Sequence, residues 1–136
     1  MDLEQVQTVN YADKRNMTDK QQFGRKEEEL ALAFYKDNQY TILEKNWQSN
    51  HLEVDIIAKN EEFIVFCEVK TRSGSLFGNP EQSVTTQKQR NIIRAAHHYV
   101  LKHRILLEVR FDIISIVFNG EQHTLEHIPF AFMPKW

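Results

Sequence analysis

The chain has a single cysteine, Cys67, which excludes a disulfide within it and suits a reducing cytosol. It also lacks long hydrophobic runs. Uninterrupted apolar stretches last a few residues, against the ~20 that a membrane helix needs. The opening stretch MDLEQVQTVNYADKRN has none of the apolar core of a secretory signal. Nor does one sign of charge dominate: 17 Lys and Arg stand against 19 Asp and Glu, for a formal net charge of −2. No global field therefore attracts nucleic acid, and any such contact must come from a local patch. No internal repeat or low-complexity segment is present. What remains, at 136 residues, is one domain able to bury a useful core.

Residues 1 to about 22 are polar without sustained apolar periodicity and read as a flexible tail, leaving 23–136 as the folded domain. Met17, near the end of that tail, offers an alternative start of translation. Gly24 to about Asp37 reads as a helix with Leu30, Ala33, Phe34 and Asp37 along one side, widened by Leu32 and Tyr35. YTILEKNW, LEVDIIAK and FIVFCEVK are strand-like, the last two joined by a turn at Asn60 to Glu62. A loop with Gly74, Gly78 and Pro80 follows. Then comes a helix from about Val84 to His103, capped by Thr85 or Thr86, with Ile92, Ile93, Ala96, Tyr99 and Val100 as its apolar stripe. EVRFDIISIVF and QHTLEHI close the chain as a hairpin around Asn119-Gly120. The order implies an α/β fold, a mixed sheet flanked by helices.

Charges interrupt the central hairpin. Strand side chains alternate, so Glu53, Asp55 and Ile57 share a face, as do Ile64, Phe66, Glu68 and Lys70. With an even-numbered turn, Asp55 falls opposite Glu68 and Glu53 opposite Lys70. Like charges facing across a sheet repel, whereas a hard divalent cation between two carboxylates reverses the sign. The plainer reading is a solvated hairpin with a Glu53–Lys70 ion pair. The apolar residues on either side favour the metal.

Asp55, a hairpin turn and then Glu68-Val69-Lys70 match the D…(D/E)-x-K core of the restriction-endonuclease-like nucleases. GRKEEELA at 24–31, ILEKNW at 42–47, EVDIIA at 53–58, VFCEVKTR at 65–72, FGNPEQSV at 77–84, Lys88, Ala95-Ala96 and RFDIISI at 110–116 follow in order. Together they resemble the YraN family of predicted bacterial endonucleases, related to archaeal Holliday-junction resolvases, over roughly Gly24 to Phe132. The resemblance implies a restriction-endonuclease-like fold and a cytoplasmic Mg²⁺- or Mn²⁺-dependent endonuclease acting on nucleic acid, DNA or branched DNA foremost. Asp55 and Glu68 match the metal-binding acids, and Lys70 matches the lysine that positions the attacking water. Glu28 matches an acid that could ligate through water, and Glu53 the acid two residues before the metal aspartate. Where the family has glycine before Glu28 and Glu53, this chain has Glu27 and Leu52. Junction resolvases act as dimers, so the likeness extends to a homodimer.

Beside carboxylates a lysine stays charged, which suits Lys70 to positioning and charge stabilisation better than to general-base work. Between Val84 and Leu107 lie Lys88, Arg90, Arg94, Lys102 and Arg104 with no acidic residue, a cationic stretch suited to phosphate contacts or simply a solvated helix face. Arg72, on the strand face of Lys70, is a second candidate for gripping phosphate. His123 and His127 are spaced i, i+4 on a strand, where that spacing does not make a ligand pair. Cys67 reads as core; Asp112, amid Arg110-Phe111-Asp112-Ile113, resembles a family position, and a structural ion pair explains it at least as well. Trp47, Phe130, Phe132 and Trp136 could stack bases, though core packing is the safer assignment. A nucleic-acid-binding module without turnover and a protein-interaction domain on a nuclease scaffold both stay open.

Overall fold

The computed structural model describes residues 5–10, 19–73 and 84–134. Met17, the loop with Gly74 and Gly78, and Trp136 lie outside the described residues. Strand β1 is Gln5–Asn10 and helix α1 Asp19–Asp37; β2 (Thr41–Ser49), β3 (Leu52–Lys59) and β4 (Phe63–Ser73) follow. Helix α2 is Thr86–His103, then β5 (Glu108–Asn119) and β6 (Gln122–Phe132) complete the order. The six strands form one sheet in the order β1-β6-β5-β4-β3-β2. Only β4 and β5 run parallel, and a parallel pair needs a crossover, which α2 supplies. The result is a mixed sheet flanked by helices, an α/β arrangement consistent with a restriction-endonuclease-like fold.

Short-range chemistry sets the turns. Asn50 and His51 join β2 to β3 with φ of 48° and 72°, the left-handed pair that a tight hairpin requires. Asn60 Oδ1 accepts the backbone N–H groups of Glu62 at 2.9 Å and Phe63 at 2.7 Å, closing the β3–β4 turn. Gly120 takes φ 64° between β5 and β6. Thr85 caps α2 by accepting the Lys88 N–H at 3.1 Å.

The helices cover opposite faces. Under α2, Ile92, Ala95, Ala96 and Tyr99 pack on Ile57, Ile64, Phe66, Phe111 and Ile113. Under α1, Ala31, Phe34 and Tyr35 pack on Ile56, Ala58, Val65, Cys67, Ile114 and Ile116. The alternation read along β4 is thus observed, and Cys67 is core. Ile93 and Val100 only flank the α2 cluster. On α1 the expected stripe is shifted: Ala31 is buried while Ala33 and Asp37 are exposed. Tyr35 draws the helix round, because its buried ring brings its hydroxyl to Asp112 Oδ2 at 2.9 Å.

Two further corrections concern the N-terminal region. Residues 5–10, assigned above to a flexible tail, form an edge strand antiparallel to β6, with Val6 opposite Glu126 and Val9 opposite His123. QVQTVN holds three β-branched residues in six, enough to extend a sheet already built though too short to announce itself. Helix α1 also begins at Asp19, before Gly24.

A second polar centre is closed in the α1 face. Asp112 accepts Arg110 Nε and Nη2 at 2.8 Å each, His127 Nε2 at 2.8 Å, Tyr35 Oη at 2.9 Å and the Phe130 N–H at 3.3 Å. The Arg110 guanidinium also donates to Tyr40 Oη at 2.8 Å and lies over the rings of Tyr40, Phe63 and Phe130. The ion pair expected at Asp112 is therefore present, and it occupies His127 as well.

Candidate acidic site

The site stands where two strands part. β3 and β4 pair from Lys59 and Ile64 up to Ile56 and Cys67, in the register that an even-numbered turn imposes. The paired ladder ends there, so the expected rungs of Asp55 with Glu68 and Glu53 with Lys70 do not form. In their place the Val69 N–H donates to Asp55 Oδ2 at 2.8 Å. A side-chain carboxylate takes the position of the missing strand carbonyl.

The cause lies in β3 itself. Ile57 faces α2 and Ile56 faces α1, so strict alternation would send Val54 and Leu52 to the α1 side. Both instead join the cluster beneath α2, whereas strict alternation would keep Leu52, Val54 and Ile56 together on one apolar face. The strand changes phase at Asp55. β2 does the same on the adjoining rung. Lys45 pairs with Ile56 and Trp47 with Val54, and Asn46 between them has φ 50°. Glu44 and Trp47 both reach Tyr99 of α2, the first by a 3.2 Å hydrogen bond and the second by an edge-on ring contact, although their positions differ by an odd number.

Around the gap the charges converge. Glu68 is 5% exposed, and its Oε2 has no hydrogen-bond partner among the described residues. Its Oε1 lies 3.9 Å from Lys70 Nζ and 3.7 Å from Lys88 Nζ. Lys70 thus pairs along its own strand with Glu68 and not across the hairpin with Glu53. Lys88 occupies the first turn of α2, and the helical repeat puts it on the inward stripe with Ile92, Ala95 and Tyr99. Burial, then the Asp55 charge, pushes the Glu68 carboxyl up to about 7, with Lys88 and Lys70 pulling the other way. Burial also raises Asp55, against the Val69 hydrogen bond and the Lys88 charge.

Of the residues singled out in the sequence, Asp55, Glu68, Lys70 and Lys88 come together. Glu53 is exposed on β3 opposite Gln48, and bears on Asp55 only through its charge. Glu28 accepts Asn46 Nδ2 at 2.9 Å. Arg72 Nη2 donates to Ser115 Oγ at 3.3 Å, on the neighbouring strand. Arg90 and Arg94 are exposed on the side of α2 turned away from Lys88. Sequence reasoning missed Glu27. Its half-buried carboxyl is raised by burial and then by the Asp55 charge, so it belongs to the electrostatic surroundings of the site. The signal was present as the departure from glycine at that position. An open cavity of about 620 Å³, lined by Gln39, Lys59, Asn60, Arg104 and Leu106 among others, holds none of these acids.

The arrangement costs stability, and the cost is measurable. Glu68 titrates near 7 in the folded chain against an ordinary 4.5, so folding is least penalised below pH 4.5 and loses stability as pH rises through 7. Glu68→Gln is expected to stabilise the protein at pH 8 by up to about 3 kcal/mol, from the shift and 1.36 kcal/mol per pH unit. The gain should vanish near pH 4.5. Urea denaturation in EDTA at both pH values checks it.

Residues 27–116 match the model of the uncharacterised protein family UPF0102. A UPF0102 protein of Phocaeicola vulgatus is 42% identical over 118 residues, covering 87% of this chain and 98% of its own length. One from Geobacter metallireducens is 44% identical over 110 residues, 80% of this chain and 90% of its own. One from Myxococcus xanthus is 35% identical over 115 residues, 84% and 91%. The matched span contains Glu27, Asp55, Glu68, Lys70 and Lys88, so the site lies inside the shared domain.

Proposed function

The chain belongs to the uncharacterised family UPF0102, and from its site we propose that it is a divalent-metal-dependent endonuclease hydrolysing phosphodiester bonds of nucleic acid, with DNA, branched DNA included, as the candidate substrate. One observation carries the reading. Asp55 and Glu68 meet where the sheet parts, Glu68 keeps a buried oxygen without a partner among the described residues, and two ammonium groups stand beside it. A cluster of carboxylates raised by burial and mutual repulsion is a poor structural element and a good cation site.

The donor set fits Mg²⁺ or Mn²⁺. Among the described residues no three His, Cys, Asp or Glu side chains form a ready metal cage. Mg²⁺ does not require one, since it takes one or two carboxylates and fills its remaining positions with water and substrate phosphate. Asp55 and Glu68 would hold it, with Glu27 near enough to add negative charge. When bound, the metal would lower the pKa of a water and stabilise charge on the phosphate. The chain's own groups do the rest. The Val69 N–H fixes Asp55 Oδ2, which leaves the other carboxylate oxygen for the ligand. Lys88 holds Glu68 Oε1, so Oε2 can turn to the same point. Lys70, charged beside Glu68, orients the attacking water and offsets negative charge as the phosphorus–oxygen bond to the leaving group breaks.

Incubation of duplex, single-stranded and branched DNA, and of RNA, with Mg²⁺ or Mn²⁺ tests this. At least one substrate should be cut, and EDTA should stop the cutting. A second reading, nucleic-acid binding without turnover, draws on the exposed Arg90 and Arg94, which face away from the acids. Salt-dependent binding with no cleavage under any condition would favour it and reject the nuclease. Absence of binding at low salt would leave a protein-interaction domain, for which the homodimer expected above is one arrangement.

A further inference from the structure

We propose that Glu28 and Asn46 act as positioning residues for Asp55, and that Glu28 is not a metal ligand. Asn46 lies on the β2 rung beside Asp55, between the pairs Lys45–Ile56 and Trp47–Val54. Its backbone is left-handed, a conformation that asparagine tolerates and that bulky or β-branched residues resist. On either side of this rung, β2 and β3 both change phase. Such a two-strand phase change has to be held, because ordinary alternation would restore continuous pairing of β3 with β4 and place Asp55 on the regular rung opposite Glu68.

The clamp is the hydrogen bond from Asn46 Nδ2 to Glu28 Oε1 at 2.9 Å, tying the displaced segment of β2 to α1 across 18 residues of sequence. Through it the helix sets where β2 turns, β2 carries β3 with it, and Asp55 swings to the Val69 N–H at 2.8 Å. One oxygen of Glu28 is engaged in this bond. Glu27, one residue earlier and half-buried, is the α1 acid that senses Asp55.

The test reads the Asp55–Val69 bond directly, by amide hydrogen exchange on the metal-free full chain. Glu28→Ala and Asn46→Val should speed exchange at Val69 by about tenfold or more, while Ile57 and Ile64 of the paired ladder keep their wild-type protection. Glu28→Gln retains the acceptor and loses the charge, and should behave as wild type. Unchanged Val69 exchange in Glu28→Ala would overturn the proposal. So would equal acceleration at every amide, which marks general destabilisation, and so would Glu28→Gln exchanging as fast as Glu28→Ala.

A second arm rests on the metal reading and uses Mn²⁺ alone as probe. Affinity should fall about tenfold in Glu28→Ala and stay within about threefold of wild type in Glu28→Gln, the pattern of an outer-shell partner. A Glu28→Gln loss as large as that of Glu28→Ala would make Glu28 a ligand and overturn the assignment. If wild type takes up no Mn²⁺, the metal reading fails by itself, and the exchange measurement still decides whether Glu28 and Asn46 position Asp55.

Discussion

Asp55→Ala should lose cleavage by about a thousandfold or more, the scale seen when a group acting on the transition state is removed, while nucleic-acid affinity stays within about threefold of wild type. The carboxylate has two roles that alanine removes together. One oxygen closes the backbone gap at Val69, and the other belongs to the charged site. Asp55→Asn separates them, because its amide oxygen can still accept the Val69 N–H although the charge is gone. Equal loss in both variants assigns the effect to charge; a much milder Asn variant assigns it to strand geometry. Lys70→Ala should also abolish cutting with little change in binding, since the exposed cations of α2 remain. Wild-type cleavage by Asp55→Ala or Lys70→Ala would mean that the activity belongs to a contaminant, and the nuclease reading would fall. Single-turnover kinetics with saturating enzyme, alongside binding in EDTA, make the comparison.

The core of this site was legible because its signal is local. Four charged residues in two apolar strands, joined by a short turn, can be placed by counting in twos, and the register below Ile56 agrees with that count. The count fails above Ile56, where geometry depends on a third strand and a helix. An irregularity was written in ILEKNW, since Ile42 and Leu43 are adjacent apolar residues and the pairing with β3 shifts register between Ile42 and Glu44. Its strand-like composition concealed the left-handed Asn46. Lys88 was recognised as a cation but placed among phosphate contacts. Helical spacing to Ile92 and Tyr99 already put it on the inward face, away from Arg90 and Arg94. Glu27 escaped because the likeness directed attention to its neighbour, Glu28. Strand β1 was missed for another reason: six residues with little apolar content become a strand only when β6 offers an edge.

Asp112→Ala should destabilise the fold by about 3–5 kcal/mol at pH 7, the cost of leaving one member of a buried ion pair uncompensated. Arg110 is 5% exposed and Asp112 fully buried, so the guanidinium would keep its charge with Tyr40 Oη and three aromatic faces as its remaining partners. The hydroxyl of Tyr35 and the ring of His127 would lose their acceptor as well. Removing the charge too, in Arg110→Met/Asp112→Ala, should recover part of the loss, because a matched apolar pair avoids the stranded cation. Acid should act in the same direction as the single variant. Hydrogen bonds from His127 and Arg110 hold the Asp112 carboxyl below its ordinary 3.8 despite burial. Its contribution is therefore complete above pH 3.8 and lost as pH falls through the lower folded value. Urea unfolding of wild type and Asp112→Ala should accordingly differ most at pH 7, with the difference narrowing below pH 3.8. A difference that persists undiminished in strong acid would mean that shape, not charge, holds this centre together.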